Sequence, residues 1–98
     1  MLKKLLKALG FSKKVSRTDK PAGEVTHYYS NIGVAIVRFN QNMPTGKNVT
    51  FQGATTDFSQ DLDSLEFNHK KIDVAPAGKE IGIKVKDKVR EGDKVYLN

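Results

Sequence analysis

The chain has 98 residues, no cysteine, and a formal net charge of +6. That length holds one domain with a single modest core. Without cysteine there are no disulfides and no cysteine-based zinc sites, and no run approaches the roughly 20 apolar residues of a membrane span.

The charge is concentrated at one end. Residues 1–20 carry Lys3, Lys4, Lys7, Lys13, Lys14, Arg17 and Lys20 against Asp19 alone, which accounts for the whole excess; the remainder has ten basic and ten acidic residues. The chain therefore divides into a basic arm or linker, 1–20, and a formally neutral domain, 21–98. In the arm, Leu2, Leu5, Leu6 and Leu9 recur at helical spacing with Lys3, Lys4 and Lys7 on the other side. This predicts a short amphipathic helix ended by Gly10, with Phe11 able to extend the apolar stripe. Eight or nine residues do not hold a helix alone in water, so the stripe needs a surface to lie on. Lys7 interrupts the apolar run, which argues against a signal peptide. Three roles fit the arm: a frayed or docked extension, attachment to RNA phosphates, or attachment to an anionic membrane or partner protein through Leu2, Leu5, Leu6, Leu9 and Phe11.

From Pro21 the pattern changes to short strands. Gly23–Tyr29 is rich in β-branched and aromatic residues. Ser30-Asn31 reads as a turn, and 32–39 as a second strand apolar on both parities around Gly33–Val37. Residues 40–46 form a loop, with Pro44 and Gly46 as breakers. A third strand spans 48–52. A fourth runs from Phe58 to about Phe67, with a parity switch near Asp63-Ser64 that predicts a bulge or sharp bend. Residues 68–78 connect to Ile81, Ile83 and Val85, which alternate with Gly82, Lys84 and Lys86. Gly92-Asp93 is a turn signal before a sixth strand through Val95 and Leu97. The last two strands are expected to flank a short charged link and close one side of the structure. Six strands without an intervening helix predict an all-β sandwich or closed β-barrel, and at this size closure is favoured, since it removes exposed edges.

No catalytic constellation emerges. Met43-Pro44-Thr45-Gly46-Lys47-Asn48 contains Gly-Lys but lacks the upstream glycine and the Ser/Thr of a phosphate-binding loop. His27 and His69 are the only histidines, too few for a zinc site, and Lys70 and Lys71 beside His69 oppose a cation. Asp61 and Asp63 share a parity, but acid–base work also needs a pocket that perturbs one of them. Asn48-Val49-Thr50 matches a glycosylation sequon. No cofactor and no metal are expected.

Four segments carry a family resemblance: Gly33–Val37, 53–58, 78–83, and Arg90-Glu91-Gly92-Asp93-Lys94-Val95. In order and spacing they resemble the second domain of elongation factor Tu-type translation GTPases and small translation elongation factor-like proteins. Ile72-Asp73-Val74-Ala75-Pro76, after Asp57-Phe58, also resembles the C-terminal barrel of collagenase-like peptidases. The resemblance covers about 22–97 and none of the arm. It implies a closed six-stranded Greek-key β-barrel that binds RNA or the translation apparatus; an enzyme is disfavoured separately, for want of nucleophile, metal and cofactor motifs. The expectation is a cytoplasmic, monomeric, non-enzymatic module associating with RNA or the ribosome. Lys3, Lys4, Lys7, Lys13, Lys14, Arg17, Arg38, Lys70 and Lys71 would meet phosphates, and Tyr28 and Tyr29 could stack on bases. The alternative is a protein–protein or membrane-surface adaptor that uses the Leu/Lys stripe.

Overall fold

The structure, a computed structural model, describes residues 20–98. The expected Leu2–Leu9 helix, its Gly10 cap and the basic linker lie outside the described residues. The described residues form ten strands: β1 (Gly23–Tyr29), β2 (Val34–Phe39), β3 (Met43–Pro44), β4 (Asn48–Gln52), β5 (Asp57–Asp61), β6 (Leu65–Phe67), β7 (Lys70–Ile72), β8 (Val74–Ala75), β9 (Glu80–Lys84) and β10 (Lys94–Leu97). The all-β expectation holds. Eight strands make one antiparallel sheet in the order β5-β4-β10-β1-β2-β9-β6-β7, and β3 pairs with β8 apart from it.

The expected closed six-stranded barrel is not what forms. The sheet is open, with β5 and β7 as its ends. It curls far enough for β5 to approach the end of β9, but a side chain bridges that seam: Gln60 Nε2 donates to the Lys84 carbonyl and Gln60 Oε1 accepts from the Lys86 amide, each at 2.9 Å. A ladder cannot close there because β6 already occupies the second edge of β9, through Gly82↔Glu66 and Ile83↔Leu65.

Alternation explains most strands. Ile81 and Ile83 are buried while Glu80 and Lys84 are exposed, and the period continues into buried Val85. Val49 and Phe51 point inward together, and Phe51 stacks on Phe58 at a centroid distance of 5.1 Å. Ala35, Val37 and Phe39 fill the same core from β2, while Val34 and Ile36 are half-buried. The parity switch after Phe58 becomes a complete strand break. Leu62 and Leu65 are both buried, and a continuous strand would send residues three apart to opposite faces.

Three further expectations are corrected. The 68–78 connection contains a hairpin, β6–β7, turning at Asn68 and His69 with φ of 55° and 64°. Two successive left-handed residues are the hairpin geometry that matches strand twist. The second strand begins at Val34, because Ile32 and Gly33 are spent on a turn whose amides both reach the Tyr29 carbonyl. Finally, β9 and β10 are not neighbours; β1 and β2 lie between them.

The Gly92-Asp93 signal is a tight turn all the same. The Asp93 amide donates to the Arg90 carbonyl at 3.0 Å, with Gly92 at φ 92°, as a type II turn requires. The buried Asp93 carboxylate accepts the Arg90 amide at 2.8 Å, and β1 holds the turn through Val25 N to Asp93 O and Gly92 N to Val25 O. Gly53 packs directly on this carboxylate; a Cβ there would collide with Asp93 Oδ1. Gly53→Ala must push the carboxylate off the turn or shift the loop. The expected cost is about 1–3 kcal/mol, the range for disrupting a buried polar contact. In a domain this small that lowers Tm by roughly 4–24 °C in a calorimetric scan.

Candidate functional site

The outer face of the sheet carries one ordered row of charge. Register places Lys94 opposite Glu24, Glu24 opposite Arg38, and Arg38 opposite Glu80, so four adjacent strands present alternating signs in a line. Arg38 Nη2 lies 2.9 Å from Glu80 Oε2, and Lys94 Nζ lies 3.3 Å from Glu24 Oε1. Below this row a cleft of about 540 Å³ opens against Pro21, Gly23, Phe39 and Gly78.

A second cleft, of about 620 Å³, lies on the seam bridged by Gln60. One wall holds Asp61 and Asp63, the other Lys84 and Lys86. Next to it runs a closed polar network. Asn48 Nδ2 donates to Asp61 Oδ1, Asn98 Nδ2 donates to Asn48 Oδ1, and Thr50 Oγ1 is shared with Ser59 Oγ and Asn98 Oδ1. The network ties β5 and β4 to the chain end after β10. It also engages both ends of the Asn48-Val49-Thr50 sequon: the Asn48 amide is hydrogen-bonded, and Thr50 is buried.

The histidines are far from these clefts in role. His27 Nδ1 meets Glu91 Oε2 at 2.9 Å on the surface, and its ring packs edge-on against Tyr29 at 4.3 Å. His69 is exposed in the β6–β7 turn. Among the described residues, no three His, Asp or Glu groups converge as a metal site would need. Asp61 ends β5 and Asp63 lies beyond it, both exposed.

The residues expected to contact RNA are not brought together. Arg38 is committed to Glu80 in the outer row. Lys70 and Lys71 lie on β7, three strands away, about 14 Å by strand spacing alone. Lys71 faces Glu66 across its own hairpin. Tyr28 packs against the core, and Tyr29 is left half exposed beside His27. Lys3, Lys4, Lys7, Lys13, Lys14 and Arg17, with the apolar face Leu2, Leu5, Leu6, Leu9 and Phe11, lie outside the described residues. What sequence reading missed is Gln60, whose partners are backbone groups, and the Glu24–Lys94 side of the charge row. The like parities of Glu24, Arg38, Glu80 and Lys94 were visible, but only register aligns them.

This open, curled antiparallel sheet is a fold shared with solved domains. It superposes on the crystal structure of the C-terminal domain of a Geobacillus thermoleovorans protein described as a U32 peptidase, with a TM-score of 0.76 and 23% identity over 89% of this chain and 99% of that one. The selenomethionine variant of that domain gives a TM-score of 0.74 and 22% identity over 80% and 99% of the two chains. At such identities the match shows the fold alone. A Methanocaldococcus jannaschii protein named as an uncharacterized protease is 33% identical over 76 residues, which is 76% of this chain. The chain spans only 19% of that relative's length. No protein-family model matches the chain. These findings support the collagenase-like peptidase side of the resemblance. They overturn the elongation-factor identification and, with it, the translation-linked RNA-binding function.

The outer charge row is exposed, its four side chains being roughly half accessible. Exposed pairs contribute little. A double-mutant cycle on Arg38→Ala and Glu80→Ala, read by urea unfolding, is expected to give a coupling of about 0.2–1 kcal/mol that shrinks in high salt.

Proposed function

We propose that this chain is a non-catalytic accessory domain of the U32-peptidase type, acting beside a protease catalytic portion. The observation that supports the reading is the superposition on 99% of a solved C-terminal domain from a U32 peptidase, joined by 33% identity to part of a protein named as a protease. The chemistry agrees. Among the described residues, His27 and Glu91 form an exposed pair with no nucleophile in their hydrogen bonds, and the Ser59 hydroxyl bonds to that of Thr50. A hydrolase needs a nucleophile held by a base, or a metal-bound water, inside a shielded pocket.

In this reading the domain contributes binding, and cleavage belongs to the protease portion. The test is reconstitution in trans. The purified chain alone is expected to leave casein and gelatin intact. Added to a U32 peptidase lacking its C-terminal domain, it should associate and alter KM more than kcat. Peptide-bond hydrolysis by the pure chain, surviving inhibitors of contaminating proteases, would overturn the proposal, as would a failure to associate at any concentration tested.

A further inference from the structure

The seam cleft has the features of a strand-acceptor site. Lys84 O and Lys86 N flank Val85 on the side facing β5, while the Val85 amide is already used by Gly33 O. A carbonyl at one residue and an amide two residues later are the pair that a neighbouring parallel strand engages through the N–H and C=O of a single residue. Gln60 supplies that engagement with its carboxamide, which stands in for one residue's N–H and C=O: Nε2 donates to Lys84 O and Oε1 accepts from Lys86 N. Gln60 is only partly buried, and its carboxamide is held by these side-chain contacts. Among the described residues β5 is also a terminal strand of the sheet, with no ladder on its outer side.

The walls of the cleft add a charge pattern. Asp61 and Asp63 stand on one side, Lys84 and Lys86 on the other, and among the described residues none of the four is in an ion pair. The other sheet end, β7, is three residues long and carries Lys70 and Lys71, the usual defence of an exposed edge. We infer that the β5–β9 seam binds an extended peptide of mixed charge, which displaces the Gln60 carboxamide from Lys84 O and Lys86 N and sets a basic side chain toward Asp61 and Asp63 and an acidic one toward Lys84 and Lys86. This is strand addition with main-chain bonds for affinity and charge for register. It goes beyond the accessory-domain reading, and its test needs no protease portion, so either can fail without the other.

The test is a titration of the full ¹⁵N-labelled chain with the peptide Ac-Lys-Thr-Val-Thr-Glu-NH₂ to millimolar concentration. The Gln60 side-chain amide and the Lys86 backbone amide are expected to move first and together. Gln60→Ala, which removes the internal competitor, should bind several-fold tighter. Asp63→Asn and Lys86→Gln should bind several-fold weaker, as should the neutral peptide Ac-Gln-Thr-Val-Thr-Gln-NH₂ on the native chain. No movement of either resonance, or Gln60→Ala binding no tighter, would overturn the inference. So would a shift of the Gln60 amide on Lys13→Gln/Lys14→Gln substitution without peptide, since the cleft's occupant would then be the chain's own basic segment.

Discussion

The architecture depends on how the two edges of β9 are shared. One edge is fully paired with β2, from Glu80↔Arg38 to Lys84↔Val34. The other receives only the short β6, at Gly82 and Ile83. β6 is short because Leu62 and Leu65 must both reach the core, which forces the chain out of β5 and onto a new path. The remaining backbone, Lys84 to Lys86, projects past β6 and faces the far end of the curled sheet. A carbonyl and an amide there without ladder partners must be met by water or by a side chain. Gln60 is long enough to meet both, and its presence at the penultimate position of β5 lets an open sheet hold the curvature of a barrel.

The same topology explains the electrostatics. The outer row from Lys94 to Glu80 alternates in sign because antiparallel register sets residues directly opposite, where like charges repel. Alternation cancels the field over a few ångströms, so this face offers no continuous positive surface. A nucleic-acid interface depends on the opposite arrangement, with basic groups clustered to displace counterions. Arg38 on β2 is paired with Glu80, Lys71 on β7 lies opposite Glu66, and Lys70 lies opposite Phe67. The structure thus places Arg38 apart from Lys70 and Lys71.

Where strands were bounded by clear turn signals, sequence sufficed. Both Gly23–Tyr29 and Asn48–Gln52 were readable to their ends, and the Ile81, Ile83, Val85 alternation marked β9. The β6–β7 hairpin was hidden, since three-residue strands have no period and Asn68-His69 lacks the glycine that announces a tight hairpin. Adjacency misled at Val89–Asp93: the turn is real, yet it hands the chain across the sheet to β1 instead of folding β10 back on β9. The fold class survived because alternation is local, and closure failed because it depends on which strand reaches an edge first. The candidate cleft was half legible. Asp61, Asp63, Lys84 and Lys86 stood out as charges, but nothing in a lone Gln60 signals that its carboxamide faces two backbone groups.

Energetics favour weak recognition at the seam, and weak recognition suits an accessory domain. Net hydrogen-bond worth is about 0.5–1.5 kcal/mol each. Displacing Gln60 therefore cancels much of what the first incoming residue gains, and only the flanking contacts and charges remain as surplus. A free peptide would bind in the millimolar range on such terms. A segment linked to the same protein, or held by a protease portion alongside, would meet the cleft at an effective concentration of about that size. Under those conditions the side-chain bridge acts as a threshold: it keeps a sheet end from recruiting strands at random, yet yields to one delivered in place. A ladder-closed barrel would have protected the same edge permanently and left no such site.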